Sequence, residues 1–185
     1  LVGPILEKIG EEFCCCGSFD PYLISKLCYE GYLPMATMVC GRPVLLGKLH
    51  HQRCILYFDD LHISKKVRIR VGNLEISVDR AFDKCIEYIK QQHDECWLYP
   101  PLVKAFKILH ETMNGNVGFH SIEVWEGTEL VAGEIGYTVG SYYTSLTAFY
   151  RKNSTGSVQL CAAAKLLEKS GFSFWNLGME MDYKF

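Results

Sequence analysis

Residues 118–149 read GFHSIEVWEGTELVAGEIGYTVGSYYTSLTAF, and this stretch decides the fold. It contains three strand-like runs, at residues 118–125, 129–139 and 141–149. The loop Glu126-Gly127-Thr128 separates the first two runs, and the single Gly140 separates the last two. Such short connections are typical of hairpins between neighbouring antiparallel strands. We therefore predict three consecutive strands here.

Helical patterns flank this stretch on both sides. Before it, a helix is predicted over residues 79–92 with Asp79 as its N-cap, and a second over residues 101–113. After it, a run rich in alanine and leucine predicts a helix over residues 155–169. Residues 172–181 are predicted to form a final strand.

Residues 61–71 end in an alternation of basic and apolar side chains. Between residues 66 and 71, each basic residue is followed by an apolar one. This repeat of two residues predicts a half-buried strand with a basic outer face. A turn at Gly72-Asn73 and a strand over residues 74–78 follow.

The first sixty residues are of mixed structure. Asp20-Pro21 predicts the start of a helix that Gly31 ends. Pro34 is predicted to break the chain, and two short β-rich runs follow at residues 43–46 and 54–58.

The predicted order from residue 61 onwards is β-β-α-α-β-β-β-α-β. This order indicates an α+β domain with a mixed, mostly antiparallel sheet and helices on its faces. It is compatible with the N-acetyltransferase superfamily. We predict a small N-terminal domain over residues 1–60 and a larger domain over residues 61–185.

Composition narrows the class of protein. The formal net charge of −2 over 185 residues excludes a globally basic nucleic-acid-binding protein, so RNA contact needs a local basic patch. The apolar runs are far shorter than the roughly 20 residues that a membrane-spanning helix needs. The chain begins at Leu1 and ends abruptly at Phe185, which leaves room for missing sequence at both ends.

The nine cysteines contain no CxxC pair, so we predict no zinc site and no thiol-redox site. Without a visible signal peptide, we expect reduced, mostly buried thiols and a cytoplasmic protein. A metal or a lipid at the triplet of residues 14–16 is the minor alternative.

Several short strings occur in an order that matches a known family. They are DP at 20–21, GYLP at 31–34, LHISK at 61–65, VD at 78–79, AF at 81–82, HSIEVW at 120–125 and ELVAG at 129–133. Trp97, Gly136, Gly140, Phe149 and Arg151 continue the match. From about residue 10 to the C-terminus, the ordered set resembles the leucyl/phenylalanyl-tRNA–protein transferases.

The resemblance implies both an architecture and an activity. Members of this family combine a small N-terminal domain with a larger acetyltransferase-like domain. They transfer Leu or Phe from aminoacyl-tRNA to the N-terminal amine of a protein that begins with Arg or Lys, which marks that protein for degradation. The aminoacyl ester is already activated, so we expect neither a metal nor a coenzyme, and we expect a monomer.

Three positions depart from the family pattern. The family has an Asp and a Gln two residues apart on the last strand, and a Glu after the preceding hairpin. Here these positions are Asn176, Gly178 and Leu146. Asn176 cannot act as a carboxylate base, although it still forms hydrogen bonds. Strand alternation predicts that Glu180 shares its face, so Asn176 and Glu180 are candidate catalytic residues.

Glu134 is the third candidate catalytic residue. By the resemblance it falls where the family has an apolar residue of the amino-acid pocket. A buried carboxylate needs a partner, which is either the α-ammonium of the substrate or a basic side chain. Glu134 therefore either changes the choice of amino acid or substitutes for the missing acid. The alternative is that Glu134 faces solvent or pairs with a lysine.

The resemblance also assigns binding residues. The candidate amino-acid pocket consists of Trp97, Tyr143, Leu146, Phe149, Leu160 and Gly178, although each aromatic or leucine also suits a plain core. The candidate tRNA-binding residues are Lys65, Lys66, Arg68 and Arg70, with Lys48 and Arg53 as additions. They are expected to contact phosphates; the alternative is a solvated strand face.

Two other functions stay open at this point. One is an inactive relative that binds tRNA or protein N-termini. The other is a coenzyme A-dependent N-acyltransferase, for which Gly156 precedes a helix without the full glycine pattern of a pyrophosphate loop. His62, His110 and His120 are scattered along the sequence and are interpreted as structural.

Overall fold

The computed structural model describes residues 12–93 and 96–179. Its helices are α1 (Pro21–Tyr29), α2 (Lys65–Arg70), α3 (Phe82–Gln92), α4 (Pro100–Thr112) and α5 (Thr155–Lys169). Its strands are β1 (Phe13–Cys16), β2 (Leu33–Val39), β3 (Arg42–Lys48), β4 (Ile55–Leu56), β5 (Leu74–Val78), β6 (Val117–Glu126), β7 (Glu129–Val139), β8 (Tyr142–Tyr150) and β9 (Phe174–Asn176).

The larger sheet has six strands in the order β4-β9-β8-β7-β6-β5. Strands β6, β7 and β8 are the three strands predicted from residues 118–149, and they pair antiparallel as expected. Strands β8 and β9 pair in parallel, because α5 carries the chain back across the sheet between them. The α+β class with a mixed, mostly antiparallel sheet is confirmed.

Helices cover this sheet on two faces. On one face, which we call the α3–α4 face, α3 and α4 pack over side chains such as Ile135 and Tyr137. On the other, which we call the α5 face, α5 packs over Ile122, Tyr143 and Trp175. Because side chains alternate along a strand, neighbours in sequence lie on opposite faces.

The smaller sheet has three strands in the order β1-β3-β2. Pro34 lies inside β2 rather than breaking the chain, which an edge strand tolerates because its outer side needs no ladder hydrogen bond. This sheet and α1 share one apolar cluster with the α3–α4 face. Strand β4 pairs with β9 in the larger sheet, and the division into two domains at residue 60 stays a prediction.

The strand predicted over residues 61–71 is wrong, because residues 65–70 form α2. Ser64 caps the helix, and its hydroxyl accepts a hydrogen bond from the Val67 amide at 3.4 Å. Only Val67 is buried there, whereas Ile69 is 73% exposed. The alternation was too short to distinguish a half-buried strand from one and a half turns of a capped helix.

The N-cap predicted at Asp79 is also wrong, because α3 begins at Phe82. Asp79 has a φ of +58°, and its carboxylate instead accepts hydrogen bonds from the Ser121 amide at 2.9 Å and from His120 Nδ1 at 2.8 Å. Burial alone would raise the pKa of Asp79, but these bonds and the neighbouring His110 hold it below its ordinary value.

The final strand is shorter than predicted. Strand β9 ends at Asn176, and Gly178 has a φ of +78°. The chain there bonds to Cys54, whose amide donates to the Gly178 carbonyl at 2.9 Å. Strand alternation therefore stops at Asn176, and Glu180 lies outside the described residues.

Most thiols are less buried than predicted. Cys28 and Cys85 are buried, Cys15 and Cys40 are exposed, and the others are partly exposed. Within residues 12–93 and 96–179, no group of three His, Cys, Asp or Glu side chains is arranged to hold a metal ion. No helix in the same described ranges is long and apolar enough to cross a membrane.

Candidate active site

Glu134 is a buried carboxylate on the α5 face. It lies at the middle of β7, paired with Ile122 of β6 and Ala148 of β8, and is 1% exposed. The Ser145 hydroxyl donates to both carboxylate oxygens at 3.1 Å. The alternative that Glu134 faces solvent is therefore wrong, and the hydrogen bond it receives comes from a serine rather than a lysine.

Burial raises the pKa of the Glu134 carboxyl to about 7. The hydroxyl of Tyr143, the amide of Gln159 on α5 and the hydroxyl of Ser145 lie close enough to limit this rise. Among the described residues, Tyr143 Oη and Gln159 Nε2 have no partner in full hydrogen-bond geometry. Both donors nevertheless face the carboxylate, so they stabilise its ionised form.

Ser145 connects Glu134 to the last strand. It lies opposite Gly136 on β7, and because Gly136 has no side chain, Ser145 reaches diagonally to Glu134. The indole Nε1 of Trp175 on β9 donates to Ser145 Oγ at 2.8 Å. The resulting chain, Trp175 to Ser145 to Glu134, crosses three strands.

Sequence reasoning missed Ser145, Trp175 and Gln159 as members of this site. Period-two alternation puts Ser145 on the same face as Tyr143, and that signal was available. The register shift between Ile135 and Gly136, which leaves Leu146 without a partner residue on β7, was not predictable from the sequence.

Asn176 lies on the α3–α4 face. Its neighbour Trp175 belongs to the α5 face, and Asn176 is turned to the opposite side. Its Nδ2 donates to Thr144 Oγ1 at 3.3 Å, and its Oδ1 accepts from the Gly178 amide at 3.0 Å. The sheet therefore separates Asn176 from Glu134 instead of bringing the two predicted catalytic residues together.

The predicted pocket residues are divided in the same way. Tyr143 and Leu160 belong to the cluster of the α5 face. Trp97, Leu146 and Phe149 belong to the cluster of the α3–α4 face, where Trp97 packs edge-on against Phe106 with the ring centroids 6.3 Å apart. Gly178 follows β9, and its amide donates a hydrogen bond to Asn176 Oδ1.

The four predicted tRNA-binding residues lie on α2, which packs against α5. Lys65, Lys66, Arg68 and Arg70 are all exposed. A cleft of about 370 Å³ is lined by Lys66 and Arg70, by the carboxylate Glu126 and by Ser154, the residue before α5. This basic patch is therefore next to the α5 face.

Lys48 and Arg53 are engaged elsewhere. The ammonium of Lys48 lies 5.2 Å from the centroid of the Phe13 ring in the smaller sheet. The guanidinium of Arg53 donates to the carbonyl oxygens of Gly31 and His50. We therefore restrict the basic patch to the residues of α2.

A second buried carboxylate, Glu123, lies on the α3–α4 face. It is 0% exposed and accepts hydrogen bonds from the Ser77 and Ser121 hydroxyls, each at 2.5 Å. It also accepts from the Ala81 amide at 3.1 Å, at the start of α3. Glu123 therefore stabilises the N-terminus of α3, which Asp79 was predicted to do.

Comparison with known proteins supplies the family. The sequence model of the "Leucyl/phenylalanyl-tRNA protein transferase" family matches residues 55–184. The C-terminal DUF2156 domain of an Agrobacterium fabrum protein aligns with a TM-score of 0.46 and 11% identity, over 86% of this chain and 52% of that chain.

Curated relatives carry the same family name, leucyl/phenylalanyl-tRNA–protein transferase. The Pseudoalteromonas atlantica protein is 30% identical over 71% of this chain and 56% of its own length. The Rhodospirillum rubrum protein is 28% identical over 84% of this chain and 73% of its own length. The chain spans about half the length of several such relatives. It belongs to the leucyl/phenylalanyl-tRNA–protein transferase family.

Proposed function

We propose that this protein transfers an amino acid, Leu, Phe or a similar one, from aminoacyl-tRNA to the N-terminal amine of an acceptor protein and so marks the acceptor for degradation. The observation that carries the proposal is the extent of the family match. Residues 55–184 include every strand of the larger sheet, from β4 to β9. The match favours aminoacyl transfer over coenzyme A-dependent acyl transfer.

The finer features of the proposal follow the family. We infer that the larger domain is acetyltransferase-like, since its mostly antiparallel sheet contains one parallel pair, β8 and β9. The acceptor begins with Arg or Lys, and the protein acts as a cytoplasmic monomer without a cofactor. The aminoacyl ester supplies the activation that a coenzyme would otherwise provide.

The tRNA is proposed to bind at α2. Arginine and lysine side chains on one short helix present several positive charges to phosphates, and the cleft beside Ser154 adds a concave surface. Because α2 packs on α5, we propose that a tRNA bound there places its aminoacyl end on the α5 face. Tyr143 and Leu160 on that face are our candidates for contact with the amino-acid side chain.

Reversing two charges of the patch tests the tRNA site. We expect Lys66→Glu combined with Arg70→Glu to weaken tRNA binding by about 10-fold or more and to lower the salt dependence of binding, because two phosphate contacts are lost. Binding is measured by fluorescence anisotropy at several salt concentrations.

The matched control is Lys104→Glu combined with Lys107→Glu on α4, which changes the net charge equally on the opposite face of the sheet. Equal weakening by both double variants would show that tRNA responds to net charge alone, and the patch on α2 would then not be its site.

The function itself is tested by transfer of a labelled amino acid. Charged tRNA is incubated with the protein and a peptide beginning with Arg, and the same peptide with an acetylated N-terminus is the control. The proposal predicts label in the free peptide only. If neither peptide is labelled from any charged tRNA although the tRNA binds, the protein is an inactive relative.

A further inference from the structure

Ser145 is the accessible member of a buried hydrogen-bonded chain. Glu134 and Trp175 are each 1% exposed, whereas Ser145 is partly exposed. Ser145 Oγ donates to Glu134 and accepts from Trp175 Nε1 at 2.8 Å. A hydroxyl has one donor hydrogen and two acceptor lone pairs. One lone pair of Ser145 therefore stays available for a donor that approaches from its accessible side.

Trp175 also fixes the direction of the Ser145 hydroxyl. The indole N–H only donates, so the Ser145 hydrogen cannot turn towards it and is directed at the carboxylate. Trp175 is buried on β9 in the cluster of the α5 face, which also contains Phe58 and Ala163. Ser145 is thus prepared to accept a proton on one side and to release its own on the other.

Ser145 lies where two strands separate. The pairing of β8 with β9 ends at Thr144 and Asn176, whereas β8 continues to Tyr150. No described strand pairs with β8 on that side after Thr144. Farther along this edge, the His93 ring bonds to the Ala148 carbonyl oxygen and the Gln92 side chain accepts a hydrogen bond from the Tyr150 amide. Ser145 therefore lies between the end of β9 and these contacts.

The transfer reaction needs a proton acceptor close to the attacking amine. The attacking amine must lose a proton, and Asn176 offers no basic group. A carboxyl whose pKa is raised by burial to about 7 is well suited to accept and return a proton near neutral pH.

We propose that Ser145 relays the proton of the attacking amine to Glu134, an inference that rests on the proposed function. The amine nitrogen bonds to the carbonyl carbon of the aminoacyl ester and gives its proton to Ser145 Oγ, while the Ser145 proton moves to Glu134. The bond from that carbon to the ribose oxygen then breaks, and the ribose oxygen receives the proton back along the same path. Ser145 is the catalytic residue, and Glu134 acts through it.

The test is the pH dependence of transfer in single turnovers with saturating charged tRNA, normalised to the folded fraction. The acceptor amine itself titrates near pH 8 in every variant, so comparison with the wild type isolates the contribution of Glu134. We expect Glu134→Gln and Ser145→Ala to lower the transfer rate by about 100-fold. We also expect both to remove the rise of the transfer rate with pH near pH 7. Ser145→Thr, which keeps the hydroxyl, restores much of the rate.

Glu123→Gln is the matched control, because Glu123 is also a buried carboxylate that accepts from serine hydroxyls. It lies on the α3–α4 face, so its change is expected to leave the pH profile as in the wild type. Transfer by Glu134→Gln at the wild-type rate and with the wild-type profile would overturn the relay. Equal loss in Glu123→Gln and Glu134→Gln would also overturn it, whereas failure of the wild type to transfer would overturn the proposed function itself.

Discussion

Replacing Gly136 by alanine is expected to lower the free energy of unfolding by about 3 kcal/mol, at the upper end of the cost of overpacking a core. A Cβ at Gly136 would lie far inside contact distance of the Tyr143 hydroxyl and of the Thr144 carbonyl oxygen. Tyr143 is 1% exposed, and Thr144 O belongs to the backbone, so neither moves aside easily. The loss is measured by urea denaturation.

Gly156→Ala is the control for this prediction. A Cβ at Gly156 meets only the Tyr150 side chain, at 3.5 Å or more, which is ordinary contact. Since Gly156 is in the first turn of α5, alanine there is expected to stabilise the protein by up to about 1 kcal/mol. A cost below about 1 kcal/mol for Gly136→Ala would contradict the close approach of β7 and β8.

Replacing Glu134 by glutamine is expected to stabilise the protein at pH 8 relative to the wild type, and the gain shrinks as the pH falls. The pKa of Glu134 rises from 4.5 to about 7 on folding, which corresponds to about 3 kcal/mol. Folding favours the protonated form, so its stability contribution is complete below pH 4.5 and is lost as the pH rises through about 7. Glutamine does not ionise, so the variant does not lose stability in this way as the pH rises.

Urea denaturation of both proteins between pH 4.5 and 8 checks this prediction, because the difference between them cancels the other titrating groups. A difference that does not change with pH would show that folding leaves the pKa of Glu134 at its ordinary value. Glu134 is thus expected to lower the stability of the folded protein near neutral pH while it serves the proposed proton relay.

The sequence was sufficient to predict the central hairpins and the long helices. Strands β6, β7 and β8 have short glycine-containing turns, and the helix predicted over residues 155–169 matches α5 at both ends. These elements carry many repeats of their period, so local pattern and tertiary packing agree. The six residues of α2 carry fewer than two turns, and there the Ser64 cap decided the structure.

The candidate site was only partly predictable. Glu134 was identified through the family resemblance, because it stands where the family has an apolar residue of the amino-acid pocket. Its partner Ser145 depends on the register of β7 against β8 and on Trp175, which is 30 residues further along the chain. The separation of Asn176 from Glu134 depends on which face each strand presents, and a prediction that extended β9 to residue 181 missed where alternation stops.

Photocrosslinking locates the aminoacyl end of the bound tRNA, which we propose to lie on the α5 face. A tRNA charged with a diazirine analogue of leucine is bound to the protein and irradiated, and the labelled residue is found by mass spectrometry. We expect label on the α5 face, at residues such as Leu160 or Tyr143. Label at Trp97 or Phe149, on the α3–α4 face, would contradict it.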